Sequence, residues 1–134
     1  MTVSSPAMRE RYLADSITTA SPAKLLMMLY DRLVLDLNRG EEAMRAGDRT
    51  TASQQLIHAQ DIVLELRTSL NMDAWDGASR LAQIYGFLLT ELIGANVHTD
   101  ADRVAACRTL VEPLRDAWRD AALSTMAPVA AAAR

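Results

Sequence analysis

The residues that could bind a metal ion or perform catalysis are few in this chain and lie far apart in the sequence. His58, His98 and Cys107 are its only histidine and cysteine residues. A zinc site needs such ligands in a cluster, and a di-iron bundle needs a glutamate three residues before a histidine on paired helices. The sequence has neither arrangement, and it therefore predicts no metal site.

His58 raises the question of a histidine phosphotransfer domain, because it lies in the middle of a predicted helix. The segment 59–62, Ala-Gln-Asp-Ile, lacks the lysine and the small glycine that usually leave room beside a phosphorylated histidine. We therefore interpret His58 as an ordinary surface residue. The acidic pair Glu41-Glu42 has no acid–base partner, and the sequence contains neither a nucleophile elbow nor a glycine-rich phosphate loop. We predict that the chain is not an enzyme and has no catalytic or cofactor-binding residues.

The composition favours a single helical domain of 134 residues. Half of the residues are apolar, and the Ala, Leu and Met that dominate them are good helix formers, whereas five Gly and four Pro provide little turn chemistry for a sheet. The net charge of -3 argues against a nucleic-acid partner, because phosphate binding requires a basic patch.

Cysteine content and hydropathy indicate a cytoplasmic location. A single cysteine excludes an internal disulfide and fits a reducing compartment, and we expect Cys107 to be a small buried apolar residue. No apolar run approaches the roughly 20 residues that span a bilayer. The N-terminus also lacks the apolar stretch of a signal peptide. We therefore predict a cytoplasmic protein without membrane insertion.

Four amphipathic helices joined by short connections are predicted from the spacing of the apolar residues. Because helices separated by so few residues must fold back on each other, the sequence predicts an all-α fold, an antiparallel up-down-up-down four-helix bundle. We expect an N-terminal arm or short capping helix in residues 1–20, the bundle in 21–123, and a flexible Ala-rich tail in 124–134. The predicted helices are 22–46, 49–70, 78–97 and 100–123.

Local capping signals define most of the predicted helix ends. Ser21 suits the N-cap of the first helix, Pro22 suits its first position, and Gly47 suits the left-handed residue that closes it. Asp48 is expected to cap the second helix. The segment Thr99–Asp102 resembles a capping box for the fourth helix, with Asp in place of the usual Glu or Gln.

The start of the first helix is apolar on nearly every side. Residues 25–30, Leu-Leu-Met-Met-Leu-Tyr, leave almost no polar face, whereas a helix that packs a single stripe into a core shows polar residues opposite it. The third helix has a similar surplus, because Phe87, Leu89 and Ile93 fall outside its inner stripe. We infer that the bundle has more apolar surface than its interior can bury and that the excess binds another helix.

Several stretches of the chain resemble the signature of one protein family. The most specific is the run Ser16–Asp31, which contains Ser-Ile-Thr-Thr-Ala-Ser-Pro, Lys-Leu-Leu and Met-Leu-Tyr-Asp, with Tyr12 ahead of it. Together with later stretches it makes residues 12–122 similar to the flagellar secretion chaperone FliS family. Arg32 and the segment 72–77 depart from the family pattern. The later stretches are Ala59-Gln60-Asp61-Ile62, Glu65-Leu66, Ser69-Leu70, Leu81 with Tyr85 and Leu92, Ala95-Asn96 with Asp100, and Leu114-Arg115-Asp116-Ala117-Trp118.

The resemblance implies both a fold and a function. Members of the family are antiparallel four-helix bundles that bind newly made flagellin in the cytosol, shield its C-terminal segment and prevent early filament assembly. The expected partners are therefore the C-terminal amphipathic segment of flagellin and a component of the flagellar type III export gate. The alternative is a generic helical adaptor or a self-associating bundle, in which the surplus apolar surface forms a homodimer.

The partner-binding residues are expected on the arm and on the apolar faces of the helices. Tyr12 and Ile17 either dock on the binding groove as a displaceable lid or complete the core at one end of the bundle. Tyrosines suit an interface because one end is polar, and flexible Met side chains adapt to a partner. Trp118 is expected to anchor the fourth helix. The predicted binding residues are Tyr12, Ile17, Leu26, Met27, Leu29, Tyr30, Leu33, Ile62, Tyr85, Phe87, Leu88 and Leu92.

Overall fold

The chain folds into four α-helices within the residues that the structure describes. In this computed structural model the backbone is described for residues 21–132 and the side chains for residues 21–124, so the predicted arm with Tyr12 and Ile17 lies outside the described residues. No strand occurs in the described backbone. The predicted all-α fold is confirmed. The helices are α1 Pro22–Arg45, α2 Arg49–Ser69, α3 Gly77–His98 and α4 Ala101–Ala132.

The helices form an antiparallel bundle in which each one contacts two neighbours. Helix α1 packs against α2 and α4, and α3 packs against the same two helices. The connections 46–48 and 99–100 lie at one end of the bundle. The connection 70–76, the start of α1 and the later turns of α4 lie at the opposite end. Within residues 21–132 no helix is both long enough and apolar enough to cross a membrane.

The predicted caps of α1 and α2 are present. The Ser21 hydroxyl accepts a hydrogen bond from the backbone N–H of Lys24 at 3.1 Å, and the Asp48 carboxylate accepts one from Thr51 at the same distance. Gly47, between the two helices, has a φ of 78°, the left-handed conformation that glycine adopts without a steric penalty. These local interactions set where α1 begins and ends and where α2 begins.

The predicted capping box at the start of α4 is wrong. Thr99 has a φ of 52° and closes α3, so it is not the N-cap of the next helix. Asp100 takes that role, because its carboxylate accepts a hydrogen bond from the backbone N–H of Arg103 at 3.1 Å. Asp102 instead forms an ion pair with Arg45 of α1. The backbone of α4 also continues past its predicted end at residue 123, to Ala132.

A continuous apolar core runs through the bundle and receives side chains from all four helices. Cys107 is buried in it as predicted, and burial raises the pKa of its thiol to about 11. Full burial of a Leu, Val or Phe side chain stabilises a fold by roughly 1.5–3 kcal/mol. The core therefore holds the helices together along most of their length. Its fully buried aliphatic residues include Leu33, Leu37, Leu56, Val63, Leu88, Leu92, Val104 and Val111.

A buried carboxylate links α1 to α2. Asp36 is inaccessible to solvent, and its Oδ1 accepts a hydrogen bond from Arg32 Nε at 3.0 Å. Its second oxygen is hydrogen-bonded to Nδ1 of His58 on α2. A buried carboxylate is tolerated when both oxygens have such partners. Half of the His58 side chain is exposed, as expected for a surface residue, and its hydrogen bond to Asp36 also joins α2 to α1.

Ion pairs join α1 to α4 at the end of the bundle that holds the two shortest connections. Glu41 bonds to Arg45 one turn away, at 3.0 Å, and to Arg108 of α4. Arg45 also reaches Asp102 at 2.9 Å. We call this end, defined by Glu41, Arg45, Asp102 and Arg108, the polar end. The opposite end, where α1 begins, has a different chemical character.

Candidate functional site

Three open apolar cavities surround the end of the bundle where α1 begins. The α3/α4 groove has a volume of about 500 Å³ and is lined by Trp75, Leu81, Leu114, Ala117, Trp118 and Ala121. The α1/α4 groove, of about 410 Å³, is lined by Ser21, Pro22, Ala23, Leu26, Met27, Trp118, Ala121 and Ala122. The α1/α2 groove, of about 420 Å³, is lined by Leu25, Met28, Leu29, Glu65 and Ser69. We call the region formed by these three grooves the apolar end.

The first two turns of α1 supply one wall of two of these grooves. Leu26 and Met27 face the α1/α4 groove, whereas Leu29 and Met28 face the α1/α2 groove. Met28 keeps half of its surface in solvent, and the others are partly exposed. Among the described residues, the apolar surplus predicted for the start of α1 is therefore only partly covered by the rest of the bundle.

Trp118 and Ala121 line both the α3/α4 groove and the α1/α4 groove, so the two grooves adjoin along α4. Tyr30 and Tyr85 lie inside the bundle, and their hydroxyl oxygens are 2.6 Å apart. Burial raises the pKa of Tyr30, although hydrogen bonds with Tyr85 and Trp118 oppose this rise. Burial and the hydrogen bond to Tyr30 raise the pKa of Tyr85. Both phenols therefore remain neutral, and this cluster joins α1, α3 and α4 beneath the grooves.

The predicted binding residues fall in different environments. Leu26, Met27 and Leu29 line grooves at the apolar end. Phe87 has 56% of its surface exposed on the outside of α3. Tyr12 and Ile17 lie outside the described residues. The remaining predicted residues are buried in the core and line none of the three grooves; they are Tyr30, Leu33, Ile62, Tyr85, Leu88 and Leu92.

Several groove residues were not among those predicted from the sequence. Leu114, Ala117, Trp118 and Ala121 of α4 line the α3/α4 groove. Their spacing of i, i+3, i+4 and i+7 is the sequence signal of one continuous helix face, and it extends the core stripe of α4 toward the apolar end. Large apolar side chains are also exposed on the outer faces of α2 and α3, namely Ile57, Leu64, Ile93 and Val97.

No group of three metal-ligating side chains is found among the residues whose side chains are described. The chemistry that the apolar end offers is the burial of apolar groups from a second molecule.

Comparison with known proteins identifies the class to which this bundle belongs. The family model of the flagellar protein FliS matches residues 4–125. The flagellar secretion chaperone FliS of Bacillus subtilis is 31% identical over 110 residues, which cover 82% of each chain. That of Vibrio cholerae is 30% identical over 105 residues, covering 78% of this chain and 77% of the relative. The chain thus has the sequence characteristics of a flagellar secretion chaperone.

A solved structure supports the same fold. A crystal structure of a flagellar chaperone from bacteria superimposes with a TM-score of 0.72, covering 89% of this chain and 99% of the other at 22% identity. The chain belongs to the FliS family of flagellar secretion chaperones. Because this is a family of chaperones, the prediction that the chain is not an enzyme is confirmed.

Proposed function

We propose that this chaperone binds the C-terminal amphipathic segment of flagellin at its apolar end. By covering that segment it prevents premature polymerisation, and it aids delivery of the subunit to the flagellar type III export gate. The observation that carries the proposal is the cluster of three apolar grooves at one end of a chain that belongs to the flagellar secretion chaperone family.

The grooves suit a helical client. An amphipathic helix binds a groove between helices by inserting apolar side chains at positions i, i+3, i+4 and i+7. Coupled folding and binding of this kind buries about 1,000–3,000 Å², and ordering the client consumes a few kcal/mol of the gain. A segment held by several grooves is firmly bound overall, yet each groove can release its part separately. This property fits a chaperone that must give up its client at an export gate.

The N-terminal arm is the second element of the proposal. Residues 1–20 precede Ser21, the first described residue, which lines the α1/α4 groove together with Pro22. Tyr12 and Ile17 are apolar residues within reach of it along the chain. We propose that they cover the groove in the free protein and leave when the client binds. An uncovered apolar groove would otherwise favour self-association.

The proposed site of action is the cytoplasm, where flagellin is made before export. A component of the export gate is the second proposed partner. The alternative is a self-associating bundle or a generic helical adaptor, and the exposed residues Ile57, Leu64, Phe87 and Ile93 give it a specific surface on α2 and α3. Homodimerisation would bury these residues in an isologous interface.

Size-exclusion chromatography with light scattering and calorimetry tests the proposal. The full chain is mixed with the C-terminal segment of flagellin from the source organism. We expect a stable 1:1 complex, a negative heat-capacity change and an increase in helicity on binding. A chain that dimerises without binding the segment would contradict the proposal and support the self-associating alternative.

A further inference from the structure

The connection between α2 and α3, residues 70–76, is fastened to α4 by an aromatic contact. The indole of Trp75 meets the indole of Trp118 edge-on, with centroids 6.3 Å apart and an interplanar angle of 89°. Among the described residues, the hydrogen bonds of 71–76 all stay within four positions along the chain. Hydrogen bonding therefore shapes the connection itself, and the contact between the two rings is what holds it against α4.

The start of α3 is less firmly fixed than the starts of the other helices. Helices α1, α2 and α4 each begin with a side-chain cap, whereas Asp76 makes no such hydrogen bond at the start of α3. The first residue of α3 is Gly77, and glycine is a poor helix former compared with alanine. An uncapped first turn that contains glycine opens at a lower cost than a capped one. This junction is therefore suited to act as a hinge.

Gly77 also makes room for the indole. A Cβ atom at residue 77 would overlap Cε3, Cζ3 and Cη2 of Trp75, so the six-membered ring lies directly over this glycine. A side chain at this position would push the ring out of its place. One residue thus provides both the hinge and the space that the ring occupies.

Trp75 occupies part of the α3/α4 groove. It shares the lining of this groove with Leu81, Leu114 and Trp118, and 48% of its own surface stays exposed. The fixed wall of a binding site needs support from neighbouring contacts. Trp75 instead has its ring contact on a connection with a hinge. Because an open apolar groove favours self-association, a side chain that partly fills it in the free protein is protective.

We propose that Trp75 is an intramolecular cover of the α3/α4 groove. The indole lies against Trp118 in the free protein and moves away about Gly77 when the flagellin segment binds the apolar end. This inference rests on the proposed function, because it describes how binding at that site is regulated. The closed cover lowers the apparent affinity for the segment according to the fraction of molecules in which the cover is open.

Calorimetry with the full chain and the flagellin C-terminal segment tests the cover. Trp75→Ala should tighten binding about three- to ten-fold, because the cover no longer has to open. Gly77→Ala should tighten it similarly by displacing the indole, and should add nothing in the Trp75→Ala background. Met72→Ala is the matched control and should leave the affinity unchanged, since Met72 is similarly exposed in the same connection but does not line the groove. Circular dichroism of each variant checks that the bundle is intact.

Fluorescence gives a second readout that reports the position of the indole. The chain has two tryptophans, so Trp118→Phe leaves Trp75 as the only emitter and keeps an aromatic ring for it to contact. The emission should shift to longer wavelength when the segment is added, because the indole moves from the groove into water. A shift to shorter wavelength would show that the segment buries the indole, and it would contradict the cover.

A third measurement needs no client. Gly77→Ala keeps both tryptophans but displaces Trp75 from the groove. The free variant should therefore bind more of the hydrophobic dye ANS than the wild type and should self-associate at lower concentration in light scattering. Dye binding and self-association equal to those of the wild type would mean that Trp75 does not cover the groove.

The outcomes separate this inference from the proposed function. If the wild-type chain binds the segment and Trp75→Ala binds it equally well or more weakly, the cover is wrong and the proposed function stands. If the wild-type chain does not bind the segment at all, the proposed function fails. The dye and light-scattering measurements on Gly77→Ala then decide by themselves whether Trp75 covers the groove.

Discussion

The two ends of this bundle are built from opposite chemistry. At the polar end, Glu41, Arg45, Asp102 and Arg108 connect α1 to α4 through ion pairs. At the apolar end, three grooves lie open between the helices. An ion pair between Arg119 and Asp31, at 2.7 Å, also links α4 to α1 there, but it lies among these apolar grooves rather than in a network of charges.

This difference suggests that the interactions that specify the fold and the surface that can bind a client lie at opposite ends of the bundle. Directional hydrogen bonds and capped turns set the register of the helices at the polar end, and the core continues that register along the bundle. Because residues 25–29 are only partly buried, we expect the apolar end to contribute less to stability, so that its side chains can change contacts without unfolding the bundle. A chaperone needs such a division, because its client must bind and leave while the chaperone stays folded.

The largest expected effect is on stability and comes from the core rather than from the grooves. Leu37→Ala should lower the free energy of unfolding by about 2–5 kcal/mol, because it leaves a cavity at a fully buried site. Met28→Ala is the control at the apolar end and should change it by roughly 0.5 kcal/mol or less. Chemical denaturation measures both. Equal losses in the two variants would mean that the apolar end is part of the stabilising core.

The next effect is on client affinity. The double variant Leu26→Ala with Met27→Ala should raise the Kd for the flagellin segment by roughly ten- to a hundred-fold, because both side chains line the α1/α4 groove. The matched control is Ile57→Ala with Leu64→Ala, a pair of exposed apolar residues on α2 away from the grooves. Calorimetry with both variants compares the surfaces directly, and a larger loss in the α2 pair would place the client elsewhere.

A smaller effect concerns the ion pairs of the polar end and depends on pH. Burial alone would raise the pKa of Glu41, but hydrogen bonds from Arg108 and Arg45 reverse this and hold it below its ordinary value of 4.5. Stability from this carboxylate is therefore fully present above about pH 4.5 and is lost as the pH falls through the lowered pKa. Glu41→Gln should cost about 1 kcal/mol or less at neutral pH.

Thermal melts of the wild type and Glu41→Gln between about pH 7 and pH 3 check this prediction. The difference between the two proteins should shrink on acidification. A difference that is the same at every pH would show that Glu41 acts through packing rather than through its charge. Client affinity at neutral pH should be equal in the two proteins.

The smallest expected effect comes from the arm. Deleting residues 1–15 should tighten client binding a few-fold or promote self-association, because Tyr12 no longer competes for the α1/α4 groove. Calorimetry and light scattering together detect either result. Unchanged affinity in a protein that stays monomeric would mean that the arm is not a lid.

The helix ends were predictable where one local interaction decides them. Ser21, Gly47 and Asp48 act through bonds or backbone angles within a few residues, and each occurs as the sequence indicates. The junction of α3 and α4 was not predictable, because Thr99 and Asp100 are both plausible N-caps for α4. The left-handed backbone of Thr99, which closes α3, decides between them.

The candidate site was less predictable, because it depends on contacts between distant residues. Tyr30 and Tyr85 each have the amphipathic character of an interface residue, yet they bond to each other across 55 positions and are buried. Trp75 lies in the connection 70–76, where no helical periodicity marks it. Its place in the wall of the α3/α4 groove depends on how this connection packs against α4. The apolar surplus of α1 was visible in the sequence, because a helix of a four-helix bundle packs only part of its surface into the core and residues 25–30 have almost no polar face.

Hydrogen–deuterium exchange of the full chain with and without the flagellin segment tests most directly whether the client binds at the apolar end. We expect added protection in peptides that cover 21–30, and no change in peptides that cover the polar-end connections 46–48 and 99–100. Protection confined to the polar end, or to the outer faces of α2 and α3, would contradict the assignment of the client to the apolar end.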